Sequence, residues 1–217
     1  MLQIFGILQQ FDMPSQDPRS LDATHLFNQA TRHAYADRDR YSADPEFTQI
    51  PVSGLLKDQD LKQRAGLINR ARDMGKALPG QPDETLALAD DDSFELPSTS
   101  HMVLIDQYGN ALSMTTSIEM AFGSSLMAGG FLLNNQLTDF SLNPALNGKP
   151  VANRVQPGKR PRSSMAPFVV FNDYGSLLAV VGSRGGSRII DYVAKTLLGI
   201  LDWDLDVQQA INLPNIT

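Results

Sequence analysis

Residues 75–98 divide the chain into two parts that obey different hydrophobic periods. Gly75, Pro79, Gly80, Pro82 and Pro97 punctuate this stretch, and after Lys76 its charges are Asp83, Glu84, Asp90, Asp91, Asp92 and Glu95, with no Lys or Arg among them. Glycine and proline interrupt helix and strand alike, and like charges repel, so the stretch is expected to bury little and to be mobile. By composition alone it reads as an interdomain linker.

Before it, apolar residues recur every three or four positions. Ser20 or Asp22 can cap a helix that aligns Leu26, Phe27, Ala30 and Ala34 and ends near residues 38–41. A second helix is expected over 58–74, with Leu61, Ala65, Ile68 and Ala71 on one stripe and Gly75 as its stop. Residues 1–74 are therefore predicted to be mostly helical. After the divide, alternation takes over. Residues 99–106 and 111–117 read as two strands around Asp106-Gln107-Tyr108-Gly109-Asn110, with Gly109 as the left-handed residue of a three-residue loop. Closing the hairpin at Asp106 and Asn110 and counting outward sets Thr99 opposite Ser117. Further strands are expected at 130–134, 168–172 and 177–182, with helices over 187–201 and 207–213. The whole reads as α+β.

Composition narrows the functional classes. The net charge of −6 argues against a nucleic-acid binder, and the one basic cluster, Lys159, Arg160 and Arg162, is short. The absence of Cys removes disulfides and thiolate chemistry but leaves the compartment open. His25, His33 and His101 are widely spaced and no HExxH pattern occurs, so neither a metal nor another cofactor is expected. The apolar segment 2–8 has no basic flank, and no apolar run approaches the roughly 18 residues of a membrane span. Both ends look cut, and the chain is expected to be part of a longer one.

A mobile acidic segment running into a Thr at a strand start suits a self-processing N-terminal nucleophile. The Thr99 hydroxyl can attack the Ser98 carbonyl, and the freed amine, with a reference pKa of about 7.7–8.0, can then act as general base for the same hydroxyl. Spacing alone also allows an ordinary β-forming Thr.

Four blocks carry more. Thr99-Ser100-His101, then Asn134-Asn135-Gln136-Leu137-Thr138-Asp139-Phe140-Ser141, then Lys159-Arg160-Pro161-Arg162-Ser163-Ser164-Met165, then Gly182-Ser183-Arg184-Gly185-Gly186-Ser187-Arg188-Ile189-Ile190 resemble, in order and nearly in spacing, the γ-glutamyltranspeptidase family. Tyr35-Ala36-Asp37-Arg38 and Asp44-Pro45-Glu46-Phe47 look like the late part of that family's large subunit. The resemblance implies the αββα sandwich of N-terminal nucleophile hydrolases, two stacked antiparallel sheets between helices. It divides the chain into the end of a large-subunit region (1–74), a pre-cleavage segment (75–98) and the start of a small-subunit region (99–217).

By the same resemblance Thr99 is the nucleophile released by autocleavage, and Ser117 aligns with a second hydroxyl that orients it. Gln136 and Asp139 match residues that hold a substrate α-ammonium, Ser163 and Ser164 the pair that binds its α-carboxylate, and Gly185 and Gly186 the oxyanion-hole glycines. Each role suits its chemistry: a carboxylate for an ammonium, hydroxyls for a carboxylate, unobstructed N–H donors for an oxyanion. Each residue also has a plainer reading: a cap Asp, turn serines, a Gly-Gly turn before a helix, or a phosphate loop, which lacks its Lys. Position 119 is Glu where the family carries Asn against the substrate amine, and the family's carboxylate-binding Arg falls upstream of this segment. The implied substrate is a γ-glutamyl amide such as glutathione, with water, an amino acid or a peptide as acceptor, and the implied partners are the remaining segments of the parent enzyme. A β-lactam side-chain acylase of the same sandwich and a non-catalytic domain are the alternatives.

Overall fold

Helix α1 (Leu2–Leu8) buries Ile4, Ile7 and Leu8 against Leu26 and Ala30 of α2 (Leu21–Tyr41), and this contact seeds the helical layer. The computed structural model describes residues 1–82, 87–93 and 98–215. Ser20 caps α2 by accepting from the Ala23 N–H at 3.1 Å, as its sequence predicts, and Arg38 and Arg40 in the last turn oppose the helix dipole. After the short α3 (Val52–Leu55), α4 (Asp58–Leu67) adds Leu61 and Ala65 to the same core.

The second predicted helix stops seven residues early, at Leu67 rather than Met74. Ile68 turns extended, Asn69 Oδ1 accepts from the Ala71 N–H at 2.8 Å, and Asp73 Oδ1 from the Gly75 N–H at 3.0 Å. Such local side-chain bonds offer the backbone an alternative to the helix. His25 Nε2 reaches the Asn69 carbonyl at 2.8 Å and fixes the turn against α2.

The expectation that residues 75–98 bury little is corrected at 87–93. Leu88 and Ala89 are buried, and Ala89 bridges to Val151. Asp90 pairs with Arg40 at 2.7 Å, and the buried Asp91 pairs with Arg162 at 3.5 Å. Cations from distant parts of the chain answer an acidic run that has none of its own. Asp83, Glu84, Glu95 and Pro97 lie outside the described residues.

The predicted hairpin forms in the predicted register. β1 (Thr99–Ile105) and β2 (Ala111–Ser117) are antiparallel with Thr99 opposite Ser117, the Asp106 N–H donates to the Asn110 carbonyl at 3.0 Å, and Gly109 has φ +84. The strand expected at 130–134 shrinks to β4 (Phe131–Leu132), paired with β3 (Met127–Ala128). The next residues turn away because Asn134 and Asn135 accept from the Gln136 and Met120 N–H groups, both at 2.9 Å, leading into a 3₁₀ turn over Gln136–Asp139. β5 (Ala145–Leu146) pairs with β6 (Lys149–Pro150), and β7 (Phe168–Phe171) with β8 (Leu177–Val181).

Helix α5 (Ile189–Leu201) is apolar nearly all round because it is covered on two sides. Ile189, Val193 and Leu197 pack on Ala179, Val181, Phe168 and Val170 of the β7–β8 hairpin, while Ala194 and Leu198 join the core under α1 and α2. Helix α6 (Val207–Asn212), opened by an Asp206–Gln209 capping box, packs on α5. Strand β2 lies against β7 and β8, with Ser113 Oγ donating to the Val181 carbonyl at 3.1 Å.

The result is the expected mixture of helices and antiparallel sheet. Among the described residues each strand pairs only within its own hairpin, so the sheets are two-stranded. The cross-strand pairs Met102–Met114 and Leu104–Leu112 share one face and are exposed. No helix among the described residues is long and apolar enough to cross a membrane.

Candidate active site

Thr99 stands at the first position of β1, at the mouth of a cleft that collects side chains from five separate stretches of sequence. Thr99, Ser117, Glu119, Gln136, Asp139, Ser163, Ser164 and Gly186 all line it. Its free volume is about 20 Å³, room for a single water. Gly185, the remaining residue singled out by sequence, lines a neighbouring cleft of about 390 Å³ with Ser98, Thr99, Ser183, Arg184, Tyr192 and Asn215. Thr99 is common to both.

Each group is held by a local device. Ser117 Oγ accepts from the Glu119 N–H at 2.9 Å, which leaves its proton for another acceptor. Glu119, 7% exposed, has φ +74 and lies past the end of β2. A left-handed turn, not strand alternation, thus brings it to the cleft. Gln136 Nε2 donates to Asp139 Oδ2 across the 3₁₀ turn. Asp139 is 8% exposed, and the Gln136 amide answers the need of a buried carboxylate for a donor. The Met165 N–H donates to Ser163 Oγ at 3.1 Å, and Arg38 donates to Ser164 Oγ.

Gly185 has φ +134, a backbone conformation that residues with a Cβ rarely adopt and glycine takes without strain, and it lies against Ile189 and the Tyr192 ring. The Gly186 carbonyl accepts from the Ile189 N–H at 3.1 Å, so the Gly-Gly loop is clipped to the start of α5. It therefore presents a backbone fixed before any ligand arrives.

Three residues that sequence reasoning did not single out organise the site. Asn153, 1% exposed, donates through Nδ2 to the Asp139 carbonyl at 2.7 Å and to Asp91 Oδ2 at 2.9 Å, and accepts from the Arg162 N–H at 3.0 Å. It joins the Asp139 turn, the segment before Thr99 and the strip leading to Ser163. Burial alone would raise the Asp91 carboxyl, but Arg162, Asn153 and the Ser93 N–H outweigh it and hold it below the usual range. Arg38, on α2, carries Ser164. His101, two residues along β1 from Thr99, bonds through Nδ1 to Thr115 Oγ1 at 2.9 Å, and burial lowers its pKa. Alternation places His101 on the Thr99 face, a signal present in the sequence; Arg38 stands in the Tyr35–Arg38 block of the resemblance, but nothing local ties it to Ser164, and nothing local marks Asn153. Arg38, the donor to Ser164, also lines a larger cavity of about 630 Å³ with Arg32, Lys76, Arg162, Arg188 and Asp39.

Comparison with known proteins places this geometry. The chain is 37% identical to the glutathione hydrolase proenzyme of Bacillus subtilis over 100% of its length, and 38% identical to that of Escherichia coli over 99%. It spans 37% of the length of each. Among solved structures, the cephalosporin acylase of Bacillus halodurans superposes with a TM-score of 0.76 at 22% identity, covering 94% of this chain and 34% of that one, a likeness of fold. The gamma-glutamyltranspeptidase family model matches residues 1–217, and the chain belongs to that family.

Proposed function

We propose that this chain is the nucleophile-bearing part of a γ-glutamyl acyl-transfer enzyme. The observation that carries the reading is the single cleft in which Thr99 meets Ser117, Gln136, Asp139, Ser163, Ser164 and Gly186. Those groups supply a hydroxyl nucleophile, an anionic reader for an ammonium, hydroxyl donors for a carboxylate and backbone donors for an oxyanion, which are the needs of acyl transfer from an α-amino acid side chain.

In this reading the Thr99 hydroxyl, helped by the Ser117 hydroxyl across the strand pair, attacks the Ser98 carbonyl; the Ser98–Thr99 C–N bond breaks as a Ser98 ester forms on Thr99 Oγ, and water then hydrolyses that ester, leaving the Ser98 carboxylate and a free hydroxyl. Residues 75–98 are the pre-cleavage segment, 1–74 the end of the large-subunit region and 99–217 the start of the small-subunit region. Cleavage frees the Thr99 amine to serve as base. The hydroxyl then attacks the γ-carbonyl of a glutathione-like donor while the Gly185–Gly186 backbone faces the developing oxyanion, and the resulting ester passes to water or to an amine. Further segments of the parent enzyme pair the open strand edges, cover the Met102–Met114 and Leu104–Leu112 face, and complete the substrate site; the isolated 217-residue chain is inactive.

Gln136, Asp139 and the Ser163–Ser164 pair favour a γ-glutamyl donor over the acyl group of a β-lactam side-chain acylase, which shares the nucleophile, and a non-catalytic domain has no use for any of these groups. In the full-length protein, N-terminal sequencing of the mature small subunit should begin at Thr99, and γ-glutamyl anilide should be turned over. Thr99→Ala should abolish both processing and turnover, and Thr99→Ser should keep part of each because a hydroxyl remains. A mature subunit that begins at another residue would sink the assignment.

A further inference from the structure

The Gly185–Gly186 loop is gripped on one side by α5 and on the other by α2. On the α5 side the Ile189 N–H donates to the Gly186 carbonyl at 3.1 Å, and the Tyr192 N–H to the Arg188 carbonyl at 3.1 Å. From α2, the Tyr35 hydroxyl donates to the Ser187 carbonyl at 2.6 Å, across 152 positions of sequence. The Arg188 guanidinium stands 5.4 Å from the centroid of the Tyr35 ring, inside the reach of a cation–π contact. The same hydroxyl faces the buried Asp191 carboxylate in the first turn of α5, which Arg188 meets at 3.4 Å.

Tyr35 therefore holds the residues that directly follow Gly186. Peptide units are rigid planes joined by two dihedrals each, so fixing the Gly186 and Ser187 carbonyls leaves the chain there little freedom to turn. The direction of the N–H groups just before them follows. Tyr35 is not among the described residues that line either cleft at Thr99, so it can act only through the loop.

We propose that Tyr35 is a positioning residue for the oxyanion hole, its hydroxyl holding Ser187 and, through it, the Gly185–Gly186 backbone where it receives the developing charge. The inference rests on the acyl-transfer reading above. In that reading Tyr35 precedes the cleaved bond and Ser187 follows it, so after processing one subunit supplies the clamp and the other the N–H donors. Ester formation and ester breakdown both pass through a tetrahedral oxyanion, so a loosened loop slows both steps. Gln136, Asp139, Ser163 and Ser164 still hold the donor in its ground state. The loss then falls on kcat and spares KM.

The test uses the full-length, self-processed enzyme with a γ-glutamyl anilide, kcat being expressed per processed molecule. Two inhibitors accompany it: L-glutamate, a ground-state competitor, and the γ-boronic acid analogue of glutamate, whose boron takes Thr99 Oγ to form a tetrahedral anion. Tyr35→Phe keeps the ring under Arg188 and removes only the hydroxyl. It should lower kcat about ten-fold, leave KM and the glutamate Ki within about two-fold, and weaken the boronate by about the factor lost in kcat. Arg188→Gln, which loosens the same clamp without touching the hydroxyl, should show the same pattern at about two- to three-fold, and it carries the test if Tyr35→Phe does not mature. An unchanged kcat and boronate Ki, or equal weakening of glutamate and boronate, overturns the proposal alone. A wild-type enzyme that does not turn over the anilide sinks the acyl-transfer reading and the proposal with it.

Discussion

Glu119 combines burial, a charge and a left-handed backbone, φ +74. For a residue with a Cβ that conformation costs roughly 1 kcal/mol or more. The strain and the charge can be separated by two substitutions in the full-length enzyme. Glu119→Gln keeps the shape and removes the anion, and should weaken capture of donors with a free α-amine about ten-fold or more while leaving des-amino glutaryl donors nearly unchanged. Glu119→Gly should weaken the same donors yet match or exceed the wild-type Tm, because glycine accepts this φ. Equal kcat/KM losses for both donor types in Glu119→Gln would show that the carboxylate does not read the amine. In the sequence the residue stands out only as a departure from the family pattern. Its route to the cleft was not, because β2 ends at Ser117, where the hydroxyl captures the Glu119 N–H.

At the scale of elements, the contact between the two long hairpins turns on His101 and Gly182. A Cβ built on Gly182 would lie 2.0 Å from His101 Cε1, so the imidazole occupies the space a side chain there would need. The ring is held by Thr115 on the neighbouring strand, and it props the loop that carries Gly185 and Gly186 at its distance from Thr99. Gly182→Ala should therefore destabilise by about 1–3 kcal/mol and slow self-processing. Adding His101→Ala should recover much of both, since the clash has a single partner. Strictly additive losses in Tm and processing rate would refute this contact. Element identity was legible wherever short-range cues agreed, as in α2 with its Ser20 cap and in the hairpin with Gly109 at its tip. Helix α4 fell short because Asn69 and Asp73 bind nearby backbone in competition with the helical period.

For the molecule as a whole, acid stability depends on a buried cluster that ties three helices to the loop at Gly80. Arg64 of α4 pairs with Asp37 of α2 at 2.8 Å, Gln3 of α1 and the Gly80 N–H also donate to Asp37, and Arg64 faces His33 Nδ1 at 3.2 Å. Burial pushes the Asp37 carboxyl up, opposed chiefly by Arg64. Burial, seconded by Arg64, lowers His33 from 6.5 to about 4. The unfolded chain therefore binds a proton that the folded one refuses between those values. Stability from this group is full above about pH 6.5 and declines by about 1–3 kcal/mol as the pH falls toward 4. His33→Gln in the full-length protein should flatten the slope of Tm against pH across that window; a slope left as steep as wild type would place the acid sensitivity elsewhere.

Features that depend on a few neighbouring residues were legible in the order of the chain: the helical first part, the Thr99–Ser117 register and, through the family resemblance, which residues to examine as candidates for the site. Tertiary structure alone decided that these residues share a cleft and how they are held there. The reason is range. Caps, turns and periodicity act within a few positions, whereas Asn153 reaches Asp91 across 62 positions and Arg38 reaches Ser164 across 126. A buried charge or amide must find a partner wherever the fold supplies one, and that partner is invisible in local sequence. The acidic run before Thr99 reads as solvated in the sequence and is anchored at Asp91 in the fold because Arg162 and Asn153 arrive from beyond the hairpin.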